Sequence, residues 1–175
     1  LTAVGSEAGR WVATLEKGGR ITADALVMTP PVPQTIALLA AGGVRLGSDL
    51  ESRLGNISYP RCIVVMAELE GPERVPAPGF LEPEDGPVVR MVDEQVKGTS
   101  SVPAVTLHAS PEFSRSRWES DREQVAAEIL HAVGPMLGNR FAGHQIHGWR
   151  FSRPESAWPE PCLVLEKEPP LVLAG

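Results

Sequence analysis

The stretch RWVATLEKGGRITADALVMT, residues 10–29, decides the fold class. Two β-rich runs, 11–16 and 21–28, lie on either side of Lys17-Gly18-Gly19-Arg20, where paired glycines supply the positive φ of a tight hairpin turn. With LTAV in front, the stretch reads as a β-meander, and its last run, DALVMT, is apolar enough for burial on both faces. Pro30, Pro31 and Pro33 end that run, because proline donates nothing to a ladder. A short helix over about 33–41 follows and stops at Gly42-Gly43.

Further along, SDLESRLG pairs Ser48 with Glu51 in a capping box and ends at Gly55, which gives a helix of about two turns. RCIVVMAEL, residues 61–69, is a strong strand, and the proline-rich connection EGPERVPAPG, residues 70–79, leads on from it. PVVRMVDE and VPAVTLHAS are strands separated by a Lys97-Gly98 turn, which predicts antiparallel pairing. The longest helix starts at the capping box Ser120 and Glu123, sets Val125, Ile129 and Val133 on one stripe, and ends at Gly134-Pro135. GHQIHGWRF, CLVLE and PLVLA complete the strands, the last reading as buried on both faces and running into Gly175. The pattern is that of an α+β protein, with an antiparallel or mixed β-sheet flanked by helices.

With 175 residues the chain holds one domain, or one domain and part of another. Its 22 acidic against 16 basic residues, a net charge of −6, offer no electrostatic footprint for nucleic acid or an anionic membrane surface. Cys62 and Cys162 form no C-x-x-C, so zinc and redox-dithiol readings lack support, while a single disulfide between them stays open. The longest strictly apolar run, CIVVMA at 62–67, is far too short to span a bilayer, and no signal-like segment opens the chain. A cytoplasmic protein is expected. The chain opens on LTAV without a Met, as a cut or processed segment would.

No G-x-S-x-G, Walker loop, H-E-x-x-H or G-x-G-x-x-G occurs, and the glycine pairs at 18–19 and 42–43 fit turn and helix-stop roles. His144 and His147 point to opposite faces of one strand, poor geometry for a shared metal. His108 shares a face with Thr106, opposite Val105 and Leu107. QIHGWRF departs most from plain amphipathicity, since alternation puts Gln145, His147, Trp149 and Phe151 on one face. Such a face suits a flat heteroaromatic ligand, and it equally suits a sheet face packed under a helix with its polar tips bonded internally.

ADALVMTPPVPQTIALL, QVKGTS, VTLHASPEFS with Trp118 following, HGWRFSRP and PCLVLEKEPPLVLAG together resemble the later part of the renalase-like, FAD-dependent amine-oxidase-type oxidoreductases. The resemblance implies that residues 1–30 are a meander and return strand of an FAD-binding domain, 31–168 a substrate-binding domain, and 169–175 the start of the closing strand. In that family the closing strand ends in Gly-Asp and the return strand in T-P-P, so Gly175, Pro30 and Pro31 become candidate contacts to FAD. The HGWR segment lies near the flavin ring in such enzymes, which singles out Trp149 and His147, with Gln145 and His108 as further substrate-facing or flavin-facing candidates. No catalytic residue carries over.

These readings converge on the substrate-binding portion of a flavin-dependent oxidoreductase whose parent oxidises an amine or a dihydronicotinamide-type donor. FAD is expected in the parent and not on this fragment, because no glycine-rich turn here opens a helix that could hold a pyrophosphate. A small-molecule substrate and self-association through exposed sheet edges are the expected partners. The alternative is a non-enzymatic ligand-binding or interaction module of similar fold.

Overall fold

A computed structural model describes residues 1–71, 75–138, 140–156 and 158–175. Positions 72–74 of the proline-rich connection lie outside the described residues. In chain order the elements are β1 (Ala3–Glu7), β2 (Arg10–Thr14), β3 (Arg20–Ala23), β4 (Leu26–Met28), α1 (Val32–Ala41) and α2 (Ser48–Gly55). There follow β5 (Cys62–Leu69), β6 (Phe80–Leu81), β7 (Val88–Asp93), β8 (Ala104–Ala109), α3 (Pro111–Ser116) and α4 (Arg122–Val133). A single 3-10 turn (Gly134–Met136) then leads to β9 (Phe141–Trp149), β10 (Leu163–Lys167) and β11 (Pro170–Leu173). The α+β expectation holds.

The chain forms two units, Leu1–Ser58 with Pro154–Gly175, and Tyr59–Arg153. Residues 31–58 and 154–168, which the sequence reading attached to the substrate domain, group by contact with the chain ends. In the first unit β1, β2 and β3 form an antiparallel meander, and a second sheet has the order β10-β11-β4. The run expected at 21–28 is two strands: β3 pairs with β2, whereas β4 leaves the meander and pairs in parallel with β11. The break falls at Asp24, whose carboxylate is held by Arg10 at 2.7 Å, so the chain turns where a charged pair meets solvent. Burial of β4 and β11 is one-sided and not two-sided as expected: Met28, Leu171 and Leu173 are buried, while Val27 is exposed.

Helix α1 ends on Gly42, where an added Cβ would lie 2.0 Å from the carbonyl oxygen of Val4 in β1. Absence of a side chain lets the helix end rest on the strand backbone. Both expected capping boxes are replaced. Gly47 stands at the N-cap of α2 without a side-chain bond, and Asp121, one residue after Ser120, caps α4 by accepting from the Gln124 N–H at 3.0 Å.

The second unit is a five-stranded antiparallel sheet of order β6-β7-β8-β5-β9. Ile63, Val65 and Ala67 of β5, with Val105, Leu107 and Ala109 of β8, pack against Val125, Ala126, Ile129 and Val133 of α4. The helix stripe read from the sequence is therefore the core face. Two short elements escaped that reading, β6 and α3. The second starts on a Ser110 cap, and its Ser114 hydroxyl accepts the Ile63 N–H at 2.9 Å.

Substituting Gly42→Ala is expected to lower unfolding stability by about 3 kcal/mol, the upper end for overpacking, because the obstruction is backbone and cannot rotate away. Gly143→Ala, with open space around its Cβ position, serves as the control and should stay within about 0.5 kcal/mol of wild type in urea melts.

Candidate functional site

Past the irregularity opposite Glu68 and Leu69, strand alternation sends the odd members of β9 from Gln145 onward away from the helices. Ile146 packs on the core, while Gln145, His147 and Trp149 are exposed on the other face. That face therefore takes the open alternative, and the packed-under-a-helix alternative does not hold within this unit. The ladder places Arg90, His108, Val64 and His147 in one row across β7, β8, β5 and β9. The next row is Val92, Thr106, Met66 and Gln145. Trp149 pairs with Cys62 in register.

A concavity of about 720 Å³ covers this face, and its lining includes Val64, Arg90, Glu94, His108, His147 and Trp149. His108, His147 and Trp149 are thus brought together. The His147 and Trp149 rings meet edge to face at 4.6 Å and 69°. Gln145 lies apart, in an adjoining concavity of about 420 Å³ with Glu68 and His144. His144 turns to Glu123 of α4 at 3.1 Å, as its opposite parity requires. Phe151 falls beyond β9 and packs edge to face on Tyr59 at 5.9 Å.

Sequence reading missed the other wall. It comes from the β7–β8 turn, which Asp93 anchors from a buried position by accepting the N–H groups of Gln95 and Val96, each at 2.9 Å. This turn brings Glu94, Lys97, Thr99 and Ser100 to the concavity. Its signal was present in the Lys97-Gly98 turn, which fixes Arg90 across from His108 once the two strands are paired. On the helix side, the Trp118 ring has two guanidinium groups over it, Arg61 at 4.8 Å and Arg122 at 5.2 Å from its centroid. A Cβ on Gly148 would meet Trp118 at 3.0 Å, so the glycine between His147 and Trp149 makes room for that ring.

Burial holds the His108 imidazole below its ordinary value; Arg90 and Lys97 add to the shift and Glu94 opposes it. Partial burial pushes the Glu94 carboxyl up, but hydrogen bonds from Thr106 and Thr99 and the nearby Lys97 outweigh it and hold the group below the usual range. Burial raises the Cys62 thiol, with a Ser152 hydrogen bond opposing. Both cysteines are free thiols.

In the first unit, Gly175 follows β11 where its Cβ position would lie 2.4 Å from the carbonyl oxygens of both Thr29 and Pro30. Gly175 and Pro30 therefore meet at the carboxyl ends of the parallel pair. The Pro30 carbonyl accepts from Thr35 Oγ1 at 3.0 Å, and Pro31 is the N-cap of α1. Among the described residues, no helix is long and apolar enough to cross a membrane.

The chain is similar in fold to one part of several solved oxidases. Putrescine oxidase bound to putrescine matches 89% of this chain and 36% of its own, at 15% identity and a TM-score of 0.62. A putative protoporphyrinogen oxidase from Exiguobacterium sp. 255-15 matches 92% of this chain and 36% of its own, at 18% identity and a TM-score of 0.56. Cyclohexylamine oxidase from Brevibacterium oxydans IH-35A matches 84% and 33%, at 11% identity and a TM-score of 0.62. The chain spans about a third of the length of each. No family model and no curated protein matches the sequence.

The direction at His108 sets a pH dependence. Folding favours the neutral ring, so its contribution is full above the unfolded value of 6.5, declines as pH falls through it, and levels off below the folded value. NMR titration should place the His108 midpoint below 6.5, and Arg90→Gln should raise it by removing a nearby positive charge. His108→Gln should reduce the loss of stability between about pH 7 and pH 5.

Proposed function

We propose that this chain is the substrate-binding portion of a flavin-dependent oxidoreductase of the renalase-like, amine-oxidase type, whose parent acts in the cytoplasm on an amine or a dihydronicotinamide-type donor. The observation that carries the reading is the open sheet face bearing His108, His147 and Trp149, in a fold shared with oxidases. Such a face can hold a flat donor by ring contact and hydrogen bonds, which is the orientation that hydride transfer requires. The free thiols fit a reducing compartment.

The described residues fit FAD in part. Gly175, with its backbone against Thr29 and Pro30, brings the end of β11 to the point where the chain enters α1 at Pro31, which is where the resemblance would put a contact to the cofactor. When bound, FAD supplies the acceptor for the hydride and passes the electrons to oxygen or another oxidant. Here His147 and Trp149 shield and orient the donor carbon. His108, kept neutral, can accept a hydrogen bond from the donor without adding positive charge.

The pyrophosphate lacks an equivalent cradle. Gly18-Gly19 joins β2 to β3, and Gly42-Gly43 follows a helix instead of opening one. Aromatic stacking, worth roughly 0.5–1.5 kcal/mol beyond area burial, does not offset an association cost of about 4–15 kcal/mol. FAD titrated into this chain should therefore show no saturable micromolar binding by flavin fluorescence. The product of the complete reading frame should purify yellow and bleach on adding its donor, and Trp149→Ala in it should lower kcat/KM at least about tenfold. A colourless product would overturn the proposal.

A further inference from the structure

We infer that Arg90 is a specificity-determining residue of this face, selecting a ring-bearing ligand with a carboxylate-like anionic substituent over one with an ammonium group. The inference rests on the reading of the face as a substrate floor and, of the two donor classes proposed above, favours the dihydronicotinamide type over a protonated amine. Arg90 heads the row that runs through His108 and Val64 to His147. At about 4.8 Å between strands, that row is roughly 14 Å long, enough for a ring at the β9 end and an acidic group at the β7 end.

The hydrogen-bond inventory gives the preference its sign. Glu82 takes the Arg90 Nε–H at 3.0 Å and also an Nη2–H, so the guanidinium is held in place while Nη1 keeps its protons unused. The imidazoles of His108 and His147 and the indole N–H of Trp149 bond no partner in the described structure, and all three line the concavity. The indole offers a donor and each neutral imidazole one donor and one acceptor, so these three serve either charge and the sign of the preference comes from Arg90. Glu94 is the one carboxylate among the described lining residues, and it is already engaged by Lys97 Nζ at 3.4 Å and by Thr99 Oγ1. An ammonium would have to displace Lys97 to reach it. An anion meets a free Arg90 N–H in a bond strengthened by charge.

The apolar part of the floor supplies the other half of the ligand. Val64 and Met66 of β5 lie between Arg90 and the aromatic pair, with Val92 beside Arg90 on β7, so a flat ring can rest there while its acid reaches across to Arg90. Arg90 and Lys97 are each paired, with Glu82 and Glu94, so the preference rests on the Arg90 Nη1 protons left over and not on a net charge of the lining.

The test uses two probes with one ring and opposite charge, indole-3-propionate and tryptamine, titrated into the chain and followed by NMR at the His108 and His147 rings and at Arg90 Nε. Indole-3-propionate should shift these signals and bind about tenfold more tightly than tryptamine. Arg90→Gln should cut the ratio to about twofold or less, and Glu82→Gln, which frees the guanidinium, should raise it. Unchanged circular dichroism and melting temperature would show that both exposed substitutions leave the fold intact. Tryptamine binding as tightly as the acid, or a preference that survives Arg90→Gln, overturns the role of Arg90 and leaves the substrate-floor reading standing. If neither probe shifts the face signals, the floor reading itself fails and takes this inference with it.

Discussion

Strand alternation is the constraint on which this structure depends. In β5, β8 and β9 each side chain that buries itself against α4 fixes the outward direction of its neighbours. Val105 and Leu107 are fully buried, and for that reason Thr106 and His108 face outward. A slip of one residue in the pairing of β5 with β8 would move the apolar set into water and the histidine into the core, so the register of the candidate face is held by the energy of the core. The site is positioned by residues that never touch it.

Glycine performs the complementary task at points of backbone contact. Gly148 leaves the helix side of β9 bare so that Trp118 can lie there, with two arginines over its ring. In the first unit, Gly42 lets the end of α1 settle on β1, and Gly175 lets the ends of β4 and β11 come together. A side chain at any of the three would have to occupy space already filled by backbone or by an indole ring. The separate parts of the sequence that build each unit can close only because these positions carry none.

The fold was largely legible because its signals are local and periodic. The hairpin glycines, the stripe Val125, Ile129 and Val133, and the strand β5 each declare themselves within a window of a few residues. What escaped was set by partners distant in sequence. The strand DALVMT was read whole, but β4 belongs with β11, some 145 positions later, far beyond any local window. The caps moved by one residue because Asp121 competes well with Ser120 for the same role. On the candidate face, parity grouped Gln145, His147 and Trp149 and the resemblance singled them out together with His108, whereas Arg90 and Glu94 required the register of β7 on β8.

On the proposed oxidoreductase reading, this difference has a chemical basis. Reactions driven by a nucleophile or an acid–base pair place particular residue types at fixed spacings, and such spacings survive as motifs. Hydride transfer asks the protein chiefly for orientation and exclusion of water, and many combinations of ring, donor and apolar side chain satisfy that demand. A sheet face meets it through shape and parity, which leave no short signature. On the reading proposed above, the part of the site that distinguishes one ligand from another falls to charged groups at the rim such as Arg90, which can change without disturbing the core behind them. A fold of this kind can therefore keep its floor while its ligand changes, and the chemistry of the rim becomes the informative part of the sequence.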